Sequence, residues 1–172
     1  MTPGTLIVTI DDRALHIDSV GGGAHTLAVG PLTLLAGPLS DGDPPPPASL
    51  TNALGLVHDH LNDLFIEVPS MEASAQVVAI GPYAEAMARV EIGADVIPVG
   101  YELVRADAEE VFRMLAVEPL DDRRHNPGLP DMHVESIIAT CCVILAIMRR
   151  LDLHAIEIRL ATSQPDERPA ER

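Results

Sequence analysis

The residues of this 172-residue chain that could do chemistry are seven histidines, two cysteines and 26 carboxylates. Their spacing sorts them. His58-Asp59-His60 followed by Asp63 approaches the H-x-H-x-D-H pattern by which hydrolases ligate metal. Asn62 stands where the pattern needs Asp, and Asp63 where it needs His. On a helix His58 and His60 would also point about 200° apart, so they could not share an ion. A solvated helix face is expected, with no metal. Gly21-Gly22-Gly23 could cradle a phosphate through its amides, but no helix follows to add its dipole, so it reads as a hairpin turn. Asp121-Asp122-Arg123-Arg124-His125 reads as a solvated loop with local ion pairs. Cys141 and Cys142 are adjacent inside an apolar run, where a bridge between them would be strained. They read as small core residues. No Ser-His-Asp or Cys-His set emerges, and no catalytic residue is assigned.

Charge narrows the partners. The chain carries a formal −15, and all 11 of its cations are arginine. Nucleic acid, polyphosphate and anionic membranes would be repelled by such a field. Without lysine there is no Walker phosphate loop and no Schiff base. Met1–Ile10 has neither a basic start nor a long apolar run, so no signal peptide is read. With unpaired cysteines, that points to the cytoplasm.

The elements that would position these residues are organised around Asp131–Arg159. From Ile137 to Met148 the residues run IIATCCVILAIM, apolar on every face, as in a helix buried all round. About a dozen apolar residues fall short of the roughly 20 that span a bilayer. Asp131 is expected to cap this helix, and Ala155–Ile158 to form the strand after it. Ahead of it, Thr5–Ile10, Ala14–Val20 and a third strand from His25 through Leu35 form an antiparallel meander. Gly42–Pro47 is a stiff connector to a helix ending at Phe65. Gln76–Ile80 reads as a buried strand of the parallel type. Helices follow around Ala84–Val90 and Ala106–Met114. The order predicts one α/β domain over residues 1–162, with a five-stranded mixed sheet of the ribonuclease H-like, actin-like type. Residues 163–172 read as a frayed charged tail.

Four runs stand in a telling order: Gln76–Ala88 (QVVAIGPYAEAMA), Gly100–Ala108 (GYELVRADA), Glu118–Pro130 (EPLDDRRHNPGLP) and His133–Arg149 (HVESIIATCCVILAIMR). With Gly42–Pro45 (GDPP) ahead of the first long helix, they resemble the second, C-terminal domain of the exopolyphosphatase / guanosine pentaphosphate phosphatase (Ppx/GppA) family. The resemblance runs through most of residues 5–160. It implies an actin-like domain, one of two that enclose an active cleft in that family. The family's first domain supplies the carboxylate that activates water. Each domain adds a glycine-rich phosphate loop, and magnesium assists.

The resemblance also shows where this chain departs. The family's loops in this domain read D-x-G-G-G-S-T-E and G-G-T. In the preferred alignment Thr9 replaces the acid, and Asp11, Asp12 and Arg13 replace the three glycines. Ala14 then stands at the Ser and His16 at the Glu. A second alignment puts Gly21–Gly23 on the glycines, but leaves too few strands before the GDPP segment. In the second loop Gly81 is kept, Pro82 removes a backbone donor, and Tyr83 fills the space of a phosphate oxygen. These residues are vestigial phosphate-loop equivalents, with two carboxylates where bare amides should be. A stand-alone, catalytically degenerate domain is therefore expected, acting through a protein partner or a homodimer and needing no cofactor. The alternative is a subunit of a split phosphatase that uses magnesium when another chain supplies the first domain.

Overall fold

The computed structural model describes residues 4–73 and 76–161; the stretch from 163 onward, read above as a frayed tail, lies outside the described residues. The β-branched run Thr5–Ile10 forms β1, which pairs antiparallel with β2 (Leu15–Ser19), and β2 pairs antiparallel with β3 (Gly23–Leu27). The third strand ends eight residues earlier than expected. Pro31 at the first helical position, and Gly30 N–H donating to Thr33 Oγ1 at 2.7 Å, start a short helix α1 (Pro31–Ala36) instead. Then come α2 (Pro47–Glu67), α3 (Pro69–Glu72), β4 (Gln76–Ile80) and α4 (Pro82–Ile92). The chain continues through β5 (Glu102–Val104), α5 (Arg105–Ala116), α6 (Leu120–Arg123), α7 (Ile137–Arg150) and β6 (Ala155–Arg159).

The sheet is mixed and has six strands, in the order β3-β2-β1-β4-β6-β5, one more than expected. The extra member, β5, has only three residues and pairs antiparallel with β6, so its strand character comes from tertiary pairing. β4 lies parallel to both β1 and β6. Alternate residues Leu6, Val8 and Ile10 of β1, with Leu15 and Ile17 of β2, are buried in the main core.

Helix α7 is the centre of that core. All twelve residues from Ile137 to Met148 are buried, and the helix packs against α1, α2, α4 and α5. Its one hydroxyl, Thr140 Oγ1, donates back to the Ser136 carbonyl at 3.0 Å, so burying it leaves no open donor. Asp131 does not cap α7. It begins a 3₁₀ turn (Asp131–His133), and Ser136 stands at the cap position, because Pro130 and the tight turn delay the helix to Ile137. Among the described residues no helix is long and apolar enough to cross a membrane.

Candidate functional site

Parallel pairing of β1 with β4, with Thr9 opposite Ile80, makes both strands end at the same edge of the sheet. The turns that follow, Asp11–Arg13 and Gly81–Tyr83, therefore lie side by side. In open α/β sheets such an edge, beyond the carboxyl ends of the strands, is where ligands sit. Gly21–Gly23 forms the β2–β3 turn, closed by Gly22 N–H to Ser19 O at 3.2 Å, and one strand length away at the opposite end of the sheet. Asp11–Arg13 and Gly81 thus share one end of the sheet, and Gly21–Gly23 lies at the other.

The two turns are joined. Tyr83 Oη donates to Asp12 Oδ1 at 2.5 Å across 71 positions of sequence. The Tyr83 ring is buried, and burial first, then Asp12, push its phenol up to about 12. Gly81 enters α4 with φ +107°, a conformation that favours glycine, and Pro82 occupies the first helical position, so it offers no N–H there. Thr9 lies just beneath: its methyl is the nearest atom to where a Gly81 Cβ would stand, at 3.9 Å. From the other side Gly30 presses onto the first turn. A Cβ on Gly30 would lie 2.5 Å from Asp11 O and 2.8 Å from Asp12 O, and Leu32 N–H donates to Asp12 O at 2.7 Å. Asp11, Asp12 and Arg13 remain exposed. An anion approaching here meets carboxylates and a closed Tyr83–Asp12 bond.

Behind Tyr83 sits His133, the first residue of the run His133–Arg149, to which the sequence assigns no role of its own. Its ring meets the Tyr83 ring edge-on, with centroids 5.0 Å apart. It is 7% exposed, and Nδ1 has no partner among the described residues. Burial, and then Arg89, hold the imidazole below its usual value of 6.5, while Asp12 and Glu85 pull the other way. Arg89 is itself paired with Glu85 at 3.2 Å. A folded-state value below the unfolded one means the unfolded chain takes up the proton first. The stabilisation is thus full above 6.5 and is lost as pH falls through the lowered value. Denaturant midpoints followed from about pH 7 to about pH 5 should fall for the wild type, and fall less for His133→Gln. Tyr83 acts at the other extreme. Its raised value removes stability as pH climbs from 10 towards about 12, and Tyr83→Phe should remove that share of the alkaline loss.

A second chain of polar groups lies on the sheet face. His16 Nε2 bonds Asp11 Oδ2 at 2.9 Å, and His16 Nδ1 bonds Thr26 Oγ1 at 2.8 Å. With Nε2–H donating to the carboxylate, Nδ1 accepts from the hydroxyl, an order seen in nucleophile–base–acid sets. The sequence carries no motif for such a set; the only local signal is hairpin register, which places His16 opposite Thr26. All three groups are solvent-accessible. The arrangement ties β1, β2 and β3 together at the edge that carries Asp11.

Among the other candidates, one reading is corrected. Burial pushes both thiols up, Cys142 to about 12, so neither is a ready nucleophile. Asn62 accepts from Arg150 Nε at 2.7 Å, and among the described residues no three His, Cys, Asp or Glu side chains converge to hold a metal. The charged run at Asp121–His125 is not uniformly solvated. Arg124 faces Asp121 at 3.9 Å on the surface, but Arg123 is buried, bonding Asp43 Oδ1 at 2.8 Å and Glu118 O at 3.0 Å. Near it, Arg124, Asp131, Met132, Val134 and Glu135 line a cleft of about 470 Å³.

Several solved structures share this architecture. An exopolyphosphatase-like protein superposes with a TM-score of 0.82 at 14% identity, over 91% of this chain and 55% of that one. The Ppx/GppA enzyme of Aquifex aeolicus gives 0.80 at 13%, over 90% and 52%. An exopolyphosphatase from Cytophaga hutchinsonii gives 0.70 at 13%, over 93% and 54%. The chain has the fold of one part of a Ppx/GppA phosphatase. It spans about half the length of these structures. No protein-family model matches the sequence, and no curated protein matches it either.

Proposed function

We propose that this chain is the counterpart of the second domain of Ppx/GppA phosphatases, with its phosphate loops closed, and that it works by binding protein. The observation that carries the reading is the 2.5 Å bond from Tyr83 to Asp12, which links the two turns across the place a phosphate would need. Asp11 and Asp12 add charge of the wrong sign for such a ligand. The buried, unpaired thiols of Cys141 and Cys142 support a cytoplasmic setting.

The test is to mix the protein with magnesium and either polyphosphate or a guanosine polyphosphate, then follow released phosphate and thermal unfolding. Neither release nor stabilisation is expected. A ligand held at 100 times its dissociation constant would add about 2.7 kcal/mol, which a melting curve resolves. Either signal would overturn the closed-loop reading. One alternative, resting on the likeness of the fold to Ppx/GppA phosphatases, is a subunit that uses magnesium when another chain supplies a first domain. Release that appears only when a first-domain chain is added would favour it.

A further inference from the structure

We propose that the outer edge of β3 is a self-association surface, on which a second copy of this chain pairs antiparallel to extend the sheet. The proposal rests on reading the chain as a binding module, and gives that module its surface and its occupant.

The strand order leaves two edges, and they are built differently. β5 is three residues long and begins with the exposed carboxylate of Glu102. Shortness and charge are the usual protections of an edge. β3 is five residues long, GAHTL, with neither proline nor a carboxylate nor an arginine, and among the described residues no strand pairs with its outer side. Its alternate backbone N–H and C=O groups face outward, ready for a further strand.

Charge selects the occupant. Between Ser19 and Ser40 there is no Asp, Glu or Arg, in a chain whose formal charge is −15. Two copies repel one another over most approaches, and this uncharged run is where they can meet at least cost. The run also carries apolar surface. Val20, at the tip of the β2–β3 hairpin, is 94% exposed, and Leu32 and Leu35 of α1 are only partly buried. Those flanks are needed, since a lasting interface takes about 1,000 Å² or more. The strand suits a two-fold axis. Centred on His25, an antiparallel pair sets Gly23 opposite Leu27 of the second copy and Ala24 opposite Thr26, so each bulky or branched side chain on either side of the axis faces a small one.

The experiment is sedimentation velocity on the full chain from about 1 to about 100 µM, at about 0.05 M and about 0.5 M salt. The wild type should reach the mass of two chains, and its dissociation constant should tighten at high salt, because salt screens the repulsion. Ala24→Lys puts two like charges near the axis, while Asp18 opposite Ala24 on β2 gives the lysine a neighbour within its own chain. That variant should keep its circular dichroism and weaken the dimer about tenfold or more. Glu102→Lys, on the other edge, should leave it unchanged. A wild type that stays monomeric at both salts, a dimer loosened by salt, or a dimer indifferent to Ala24→Lys would each overturn the proposal. Phosphate release by a dimer would instead sink the closed-loop reading and leave this surface standing.

Discussion

Replacing Gly128 by alanine is expected to destabilise the fold by about 3 kcal/mol or more, among the largest effects open to a single methyl group. Gly128 has φ +82°, where a side chain is strained whatever the space around it. Here there is also no space. The new Cβ would fall on the Arg89 carbonyl oxygen, 2.8 Å from its carbon and 2.9 Å from Ala94 N. That carbonyl already closes the end of α4, accepting Gly93 N–H at 2.8 Å and Ala94 N–H at 3.2 Å. Neither the loop nor the helix end can yield without breaking those bonds. Arg89 also holds Glu85 and weighs on His133, so the damage should reach the network behind Tyr83. The check is the urea midpoint, read against Gly55→Ala. Gly55 lies exposed within α2, and a Cβ added there would meet nothing within 4 Å, so alanine should add up to about 1 kcal/mol. Equal losses at the two positions would refute the steric account.

Much of this fold is legible in the sequence because its long elements carry their own periodicity. β1, β2, β4 and β6 fall within a residue or so of the runs that read as strands, and the all-apolar run Ile137–Met148 is the buried heart of α7. What escapes is decided by distant partners. β5 is three residues that become a strand only beside β6. The run from Pro31 to Leu35 is as apolar as a strand, and only the Gly30–Thr33 bond and Pro31 turn it into helix. At the site, residue types show two carboxylates and an arginine after β1, and a Gly-Pro-Tyr turn after β4. They do not tell that Tyr83 reaches Asp12, because that contact depends on β1 and β4 lying parallel in one register. The part played by His133 is hidden for the same reason. Its role comes from the ring it touches and the carboxylates around it, none of them near it in sequence.

Arg123 shows the same principle with a larger energetic consequence, and Arg123→Ala is expected to cost about 3 kcal/mol. Its side chain is 3% exposed, yet Asp43, its charged partner, is 45% exposed. Water screens that pair, so the attraction itself adds little. The cost comes from what the guanidinium satisfies inside: Glu118 O at 3.0 Å and Val134 O at 3.3 Å would be left without it, beside a void. Asp43 has a second duty, accepting Leu120 N–H at 2.7 Å at the start of α6. Removing it as Asp43→Ala leaves a buried cation with two carbonyl partners and an open helix end, and should cost about 2 kcal/mol. The GDPP segment is therefore a clamp as well as a stiff connector, pinning α6 and the loop after it to the start of α2. Arg123→Met separates the contributions, since it restores volume but not hydrogen bonds, and should recover about half of the alanine loss. A double-mutant cycle between positions 43 and 123 should give a coupling of about 1 kcal/mol, little changed between low and high salt. Full recovery by methionine would mean that packing alone explains the site, and that the carbonyls of Glu118 and Val134 do not need the arginine.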